Sequence, residues 1–198
     1  MKISSFCLLI GVCFGAWAQT SYILTKSGKK FEMQYSSIQI AVLDKLVNFK
    51  TLSGSAKEVA FSDLDVAKFG NFMFKSFKFV ENKNNNCFFV LAESAQKTLI
   101  SIGIPAAESD EDVSLVPTKY EVYVLDSNYK VIDFLFFNNQ KSEKGAIGRS
   151  ELQDFIRRNF EDCSDVIDRF GDFEKLNSPQ YMGIIGFFSK PIYVNCNN

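Results

Sequence analysis

Residues 72–80 have the sequence Phe-Met-Phe-Lys-Ser-Phe-Lys-Phe-Val, and residues 87–93 have the sequence Cys-Phe-Phe-Val-Leu-Ala-Glu. Phe and Val are enriched in β-strands. The polar stretch between the two runs, residues 81–86, contains four Asn residues. Asn tolerates the left-handed backbone conformation that many tight turns require. The three segments together therefore predict a β-hairpin.

Three further hairpins are predicted before and after this one. In each, two apolar or alternating runs flank a short polar turn, and in two of them a Gly in the turn can take the positive φ of a bulged hairpin. The predicted strand pairs are residues 22–25 with 31–35, 45–51 with 57–61, and 120–125 with 130–137. Residues 38–43 and 97–102 are predicted as additional strands.

After the last of these strands, the spacing of apolar residues changes from the alternation of a strand to the three- and four-residue spacing of a helix. Ser150 and Gln153 have the spacing of a capping box at a helix start. The apolar residues that follow share one helical face; they are Leu152, Phe155, Ile156 and Phe160. A second, shorter helix is expected to begin at Asp162 or Ser164 and to end near Gly171.

These elements predict an α+β fold in a single domain, residues 19–198. Its main part is an antiparallel β-sheet, curled, doubled into a sandwich or closed into a partly open barrel so that its edges are hidden. A C-terminal helical pair, about residues 150–171, is expected to pack on one open face of the sheet.

The N-terminus has the pattern of a secretory signal peptide. Met1-Lys2 gives a positive start, residues 6–14 are apolar, and Ala16-Trp17-Ala18 matches the small-x-small pattern that signal peptidase cleaves. Cleavage would remove residues 1–18. No later stretch is long and apolar enough to predict a transmembrane helix. We expect export by the general secretory route to the periplasm, the outer membrane or the medium.

Three cysteines remain after this cleavage: Cys87, Cys163 and Cys196. Disulfides persist in an oxidising compartment, and an odd number leaves one thiol over. We predict that Cys163 pairs with Cys196, which would tie the C-terminal tail to a helical segment. Cys87 begins a predicted strand and is expected to be a buried small hydrophobic residue. The alternative is a redox-active Cys87, although no CxxC motif, His or adjacent basic residue lowers its pKa.

The composition excludes several classes of function. The chain has no His, which rules out Ser-His-Asp and Cys-His catalysis, His-ligated metals and an imidazole pH switch. Its 22 basic and 23 acidic residues form no basic cluster that could follow a phosphate backbone, so nucleic acid is not expected as a partner. No cofactor is expected.

Two groups of carboxylates are interpreted as solvated surfaces. They are Glu161, Asp162, Asp165, Asp168 and Asp172 near the second predicted helix, and Glu108, Asp110, Glu111 and Asp112 in a predicted loop. The alternative for the first group is binding of calcium, but its spacing lacks the D-x-[DN]-x-[DN]-G calcium loop. The alternative for the second group is weak binding of a divalent cation or contact with a basic partner. No metal site is predicted.

Several segments occur in a recognisable order along the chain. The export signal is followed by residues 21–30 (Ser-Tyr-Ile-Leu-Thr-Lys-Ser-Gly-Lys-Lys), residues 61–69 (Phe-Ser-Asp-Leu-Asp-Val-Ala-Lys-Phe), residues 160–163 (Phe-Glu-Asp-Cys) and residues 193–196 (Tyr-Val-Asn-Cys). In this order, and over most of the chain, they resemble the small exported proteins of unknown function of Bacteroidetes-type bacteria. The resemblance implies an envelope location and supports the pairing of Cys163 with Cys196. It implies no activity and no catalytic residues.

No set of residues in the sequence defines an active site. We expect a non-catalytic envelope or secreted protein that binds another envelope protein or a surface polymer through sheet edges and aromatic side chains. One alternative is a hydrolase that acts on a glycan with two carboxyl groups about 5 to 9.5 Å apart. The other is a carrier of a small apolar ligand, which would need a cavity of about 300 Å³ or more.

Overall fold

The structure is a computed structural model that describes residues 21–79, 85–104, 119–138, 143–177 and 183–197. The predicted signal peptide, residues 1–18, lies outside the described residues. The acidic stretch of residues 108–112 also lies outside them.

The described residues form twelve strands and three α-helices, an α+β fold as the sequence predicts. The strands are β1 (Tyr22–Thr25), β2 (Lys30–Glu32), β3 (Gln39–Ala41), β4 (Leu46–Lys50), β5 (Ala56–Ala60), β6 (Leu64–Phe69), β7 (Phe72–Lys78), β8 (Asn85–Glu93), β9 (Lys97–Ile104), β10 (Lys119–Asp126), β11 (Val131–Asn138) and β12 (Val194–Asn195). The helices are α1 (Glu143–Phe160), α2 (Ser164–Glu174) and α3 (Ile185–Ser189).

The strands form two open sheets. The main sheet has the order β11-β10-β9-β8-β7-β6-β1-β2, and every neighbouring pair in this path is antiparallel. β12 joins it as a short parallel partner of β8. The other sheet has the order β3-β4-β5. Because sequential strands pair as hairpins, most of this topology follows from local turns.

The main sheet buries a different core on each of its two faces. Ile100 belongs to the core that the small sheet covers with Val47 and Phe49. Its neighbour Leu99 belongs to the core that the helices cover, together with Phe155. Successive side chains of a strand point to opposite faces, so this alternation places the small sheet and the helices on opposite sides of the main sheet.

The hairpin of β6 and β7 is absent from the sequence-based prediction. These two strands are joined at Gly70 and Asn71, and Gly70 has a φ of 54°. A Gly-Asn pair between two strand-forming runs is a hairpin signal, so the sequence did contain the information. No strand is predicted above between residues 61 and 72, where β6 (Leu64–Phe69) lies.

Helix α1 begins at Glu143, and this corrects the predicted start at about residue 150. Ser150 is an exposed residue inside the helix, and Gln153 hydrogen-bonds to the Glu174 carboxylate of α2 instead of a helix N-terminus. Glu, Lys and Arg in residues 143–149 favour helix by propensity alone. Those residues carry no clear apolar period, which is why the pattern located only the second part of the helix.

The C-terminal tail docks through contacts with distant residues. Arg169 of α2 donates hydrogen bonds to the carbonyl groups of Phe187 (3.4 Å), Ile192 (3.1 Å) and Lys190, and its guanidinium lies 4.7 Å from the Phe187 ring centre. Burial lowers the pKa of Arg169 to about 10, which still leaves it charged at neutral pH. The tail therefore forms α3 and β12, for which the sequence has no clear pattern.

Candidate functional site

Strand β11 forms one end of the main sheet, and its outer side pairs with no other described strand. Three of its large apolar side chains are exposed: Ile132 is 48% exposed, Phe134 57% and Phe136 62%. Single exposed apolar residues are common on proteins, whereas a contiguous group of them marks an interaction surface. These three residues, here called the β11 patch, are the strongest candidate site.

Two rings of the β11 patch are held in place by the core. Phe134 and Phe136 lie two residues apart and so face the same side of the sheet. Their ring centroids are 5.5 Å apart, and Phe136 lies 6.2 Å from the Tyr123 ring. Tyr123 in turn lies 5.5 Å from the buried ring of Phe88. The exposed rings therefore continue an aromatic cluster of the core, which limits their motion.

A polar group lies beside these rings. The Tyr123 hydroxyl donates to Oε2 of Glu121 at 3.1 Å, and Glu121 lies opposite Phe136 in the register of β10 and β11. Burial, and then the charge and the hydrogen bond of Glu121, raise the pKa of Tyr123 to about 12. The hydroxyl thus stays protonated at neutral pH and keeps Glu121 in place.

Backbone groups of β11 also point to its outer edge, where no described strand pairs with them. The Phe134 N–H donates to Oδ1 of its neighbour Asp133 at 2.9 Å, so it points away from β10. Residues of an antiparallel strand alternate between the two sides in the direction of their N–H and C=O groups. The N–H and C=O of Phe136 therefore also point to the open edge.

Asp133 connects this edge to helix α1. Its Oδ2 accepts hydrogen bonds from Arg158 Nε at 2.9 Å and from Asn159 Nδ2 at 2.7 Å. Partial burial alone would raise the pKa of the Asp133 carboxyl, but the bonds from Asn159, Arg158 and the Phe134 N–H and the charge of Arg158 lower it below its ordinary value. Asp133 is the one charged residue in β11, and its charge is already paired.

Asp133→Asn is expected to lower the free energy of unfolding by about 1–2 kcal/mol at pH 7, because charge-assisted hydrogen bonds to a half-exposed Arg are lost. The folded-state pKa of Asp133 lies below its ordinary value of 3.8, so this stabilisation is present above that value and is lost as the pH falls through the folded-state pKa. Urea denaturation at pH 7 and at about pH 2 should show the two proteins converging at the lower pH.

The exposed Asp154 of the same helix supplies the control for this experiment, because it has no hydrogen-bond partner among the described side chains. Asp154→Asn should match the wild type within about 0.5 kcal/mol at both pH values. An Asp133→Asn difference of equal size at both pH values would contradict the proposed ionic contribution.

An apolar cavity adjoins the β11 patch at the end of β9, β10 and β11. Its volume is about 270 Å³, smaller than that of another groove of the chain, which holds about 760 Å³. Its walls are Ile104, Lys119, Tyr120, Glu121, Phe136 and Phe137. Phe136 belongs to both the cavity and the patch, so they form one continuous surface. The cavity is slightly smaller than the about 300 Å³ expected for a ligand carrier, and it has room for one bulky apolar side chain.

The larger groove, of about 760 Å³, lies between the β1–β2 turn and β5 and contains two carboxylates, Glu58 and Asp63. Both residues are exposed. A glycan hydrolase needs one carboxylic acid whose pKa is raised by an apolar environment. These two carboxylates lack that environment, so the groove gives the hydrolase hypothesis no support.

The cysteines lie where the sequence predicts. The Sγ atoms of Cys163 and Cys196 are 2.09 Å apart, at the bonding distance of a disulfide, and the pair connects the start of α2 to the residue after β12. Cys87 is free and buried, and its thiol donates to the Phe61 carbonyl at 3.6 Å. Burial raises the pKa of Cys87 to about 12. A protonated, buried thiol is a poor nucleophile, which favours the structural role for Cys87.

The five carboxylates near α2 do not converge on a common point. Glu161, Asp162, Asp165, Asp168 and Asp172 are all exposed, and Asp172 forms an ion pair with Lys175 at 3.0 Å. Within the described ranges, no three acidic or cysteine side chains lie close enough together to hold a metal ion.

Among the described helices, none is both long enough and apolar enough to cross a membrane.

A scan against protein-family models, a search of the curated proteins and a search of the solved structures found no match to this chain. The candidate site therefore depends on its own geometry: an open strand edge, an aromatic surface and an adjoining apolar cavity.

Proposed function

We propose that this chain is an exported, non-catalytic interaction protein whose β11 edge binds an extended strand of a protein partner. It would act in the periplasm, at the outer membrane or outside the cell. The observation that carries the proposal is an eight-residue strand at the end of the main sheet with exposed aromatic rings and backbone groups that face outward. Strand addition to such an edge is a common mode of peptide recognition.

The other outer strands of the chain support this assignment by contrast. Natural sheets protect their edges with short strands, charges, prolines or bulges. β2, at the opposite end of the main sheet, has three residues, and two of them are the exposed Lys30 and Glu32. β5 exposes Lys57 and Glu58. β11 is long and has no proline and no unpaired charge, and its one bulge lies near its first residues.

The backbone groups favour a protein partner over a surface polymer. A sugar chain could stack on Phe134 and Phe136, but it would leave the outward N–H and C=O groups of β11 to water. An extended peptide pairs with these groups and also covers the rings. The cavity beside Phe136 gives such a peptide a place for one apolar side chain, and pockets of this kind supply specificity in strand addition.

An exported location accords with two features of the chain. The N-terminus has the pattern of a signal peptide, the Cys163–Cys196 pair lies at disulfide distance, and disulfides persist in oxidising compartments. Intact-mass measurement of the secreted chain addresses the first feature directly, since cleavage would leave residues 19–198.

The double variant Phe134→Ser/Phe136→Ser tests the binding site. The tagged wild type is crosslinked in intact cells of its source, and captured proteins are quantified by mass spectrometry. We expect the variant to lose about tenfold or more of the specific partner, as expected for two aromatic residues at the centre of an interface.

The matched control is Leu43→Ser/Leu52→Ser. These leucines are 65% and 62% exposed but lie in turns of the small sheet, away from β11. The control should capture the partner as well as the wild type does. Equal loss in both variants, or undiminished capture by the Phe variant, would refute the proposed site.

A further inference from the structure

We infer that the strand that completes the β11 edge is β11 of a second copy of this chain, in an antiparallel dimer about a two-fold axis. This inference rests on the proposed function, because it names the partner of the same edge. Three observations support it: the order of apolar residues along β11, the short or charged strands at the other described edges, and the surface area of the β11 patch.

The sequence of β11 is self-complementary in one register. When two copies pair antiparallel about Phe134, this residue faces its own copy, and Phe136 of each chain lies opposite Ile132 of the other, which is the extra residue of the bulge in β11. Every residue of the β11 patch then has an apolar partner. An axis at Leu135 would instead place Ile132 opposite the polar residue Asn138.

The rings support the same register. Phe134 lies opposite Tyr123 in β10, so a pair of copies would form a row of four aromatic residues across four strands. Facing aromatic pairs are among the favourable cross-strand contacts of antiparallel sheets. The row would extend the aromatic cluster that already joins Phe136, Tyr123 and Phe88.

The backbone N–H and C=O groups of Phe134 in the two copies are also placed to hydrogen-bond to each other. Residues that face each other in a narrow antiparallel pair exchange both of their hydrogen bonds, and the outward N–H and C=O of Phe134 would do so with its copy. Asp133 would release the Phe134 N–H. Its other oxygen would keep the bonds from Arg158 and Asn159, so α1 would stay attached to the strand.

The remaining described edges make a closed dimer the expected assembly. A head-to-tail contact would need β11 to pair with a different edge of the next copy, and such contacts continue into filaments. β2 and β3 have three residues each and are too short to cover β11, and β5 carries exposed Lys57 and Glu58. A second β11 has the same length of eight residues and the same exposed apolar side chains.

The available area predicts a weak dimer. A large aromatic side chain presents about 200 Å² when fully exposed, so the three residues of the patch, at 48% to 62% exposure, offer roughly 300 Å² for each copy. With the paired backbone and flanking atoms, the two copies would bury roughly 1,000 Å², the size of a weak or transient interface. We therefore expect a dissociation constant in the micromolar range.

The first test is sedimentation velocity of the purified, exported chain at concentrations from about 1 to 200 µM. The wild type and the Leu43→Ser/Leu52→Ser control should shift together from monomer to dimer, with no larger species. Phe134→Ser/Phe136→Ser should remain monomeric throughout. A dimer that persists in this variant would overturn the inference, because the copies would then associate elsewhere.

The second test uses Phe134→Cys and measures the register without removing both rings. Facing residues in a hydrogen-bonded antiparallel pair have Cα atoms about 5.5 Å apart, within the span of a disulfide. Mild oxidation should convert Phe134→Cys into a covalent dimer, whereas Leu43→Cys should stay monomeric. Cys87 is buried and does not compete. Failure of Phe134→Cys to crosslink would contradict the register and the inference.

The two proposals can fail separately. A chain that is monomeric at every concentration overturns the second-copy inference, yet the proposed function stands if capture of a different protein in cells depends on Phe134 and Phe136. If neither self-association nor capture depends on the β11 patch, both proposals are refuted.

Discussion

Replacing Phe155 by Ala is expected to lower the free energy of unfolding by about 3–5 kcal/mol. Phe155 is 0% exposed and lies in the core between α1 and the main sheet. Truncation to Ala removes the burial of an aromatic ring and leaves a cavity that the rigid sheet cannot fill. α1 packs against β11, so this core also supports the back of the candidate site.

Chemical denaturation of the purified protein measures this effect. Asp154→Ala, at the preceding exposed position of the same helix, is the control and should change the stability by no more than about 0.5 kcal/mol. A Phe155→Ala change as small as that of the control would show that the helix does not cover the sheet.

Removing the disulfide by Cys163→Ala/Cys196→Ala is expected to cost about 3–4 kcal/mol. The two cysteines are 33 residues apart in the chain, and closing a loop of this length restricts the unfolded state. The disulfide holds the tail beside β8, where Cys196 N–H donates to the Glu93 carbonyl at 2.8 Å. Without the disulfide, α3 and β12 should be the first elements to detach from the rest of the fold.

Denaturation with and without reductant separates the disulfide from side effects of the substitutions. Reductant should lower the stability of the wild type to about that of the double variant and should leave the variant unchanged. Intact-mass measurement after thiol labelling under denaturing conditions should find one reactive thiol, Cys87, in the unreduced protein. Three labelled thiols would show that the pair is not bonded.

The exposed edge of β11 determines which partners should be sought. A hydrolase or a carrier would be identified with small molecules, whereas an open strand edge calls for extended peptides and for the chain itself. Glu58 and Asp63, the carboxylates of the groove between the β1–β2 turn and β5, are exposed and give the hydrolase no support. Self-association is the simplest of these possibilities to measure, because it needs only the purified chain.

Elements with a local signal were predicted well from the sequence. The turn that contains Gly28 lies between the paired strands β1 and β2, and the two strand runs predicted on either side of the Asn-rich stretch form the paired strands β7 and β8. Leu152, Phe155 and Ile156 are buried on one face of α1, as their spacing predicts. In each case the interactions that define the element lie within a few residues, so composition and period were sufficient.

Elements that depend on distant contacts were missed. α3 has five residues, too few for a helical period, and α3 and the residues after it are held by hydrogen bonds from Arg169 in α2. β12 has two residues and exists because it pairs with Ala92 and Glu93 of β8. No local pattern encodes a partner that is about a hundred residues away.

The sequence by itself determined that the fold is rich in strands, which hairpins have clear turns and which face of α1 is apolar. It also determined which cysteines are present to form a disulfide. Each of these features depends on local periodicity or on the chemistry of single residues. The tertiary structure alone decided which strand lies at the end of the sheet. Phe88 in β8 and Phe134 in β11 occupy similar aromatic runs, yet Phe88 is 2% exposed and Phe134 is 57% exposed. The difference arises because strands on both sides and the packed small sheet surround β8, whereas only one of the described strands, β10, pairs with β11.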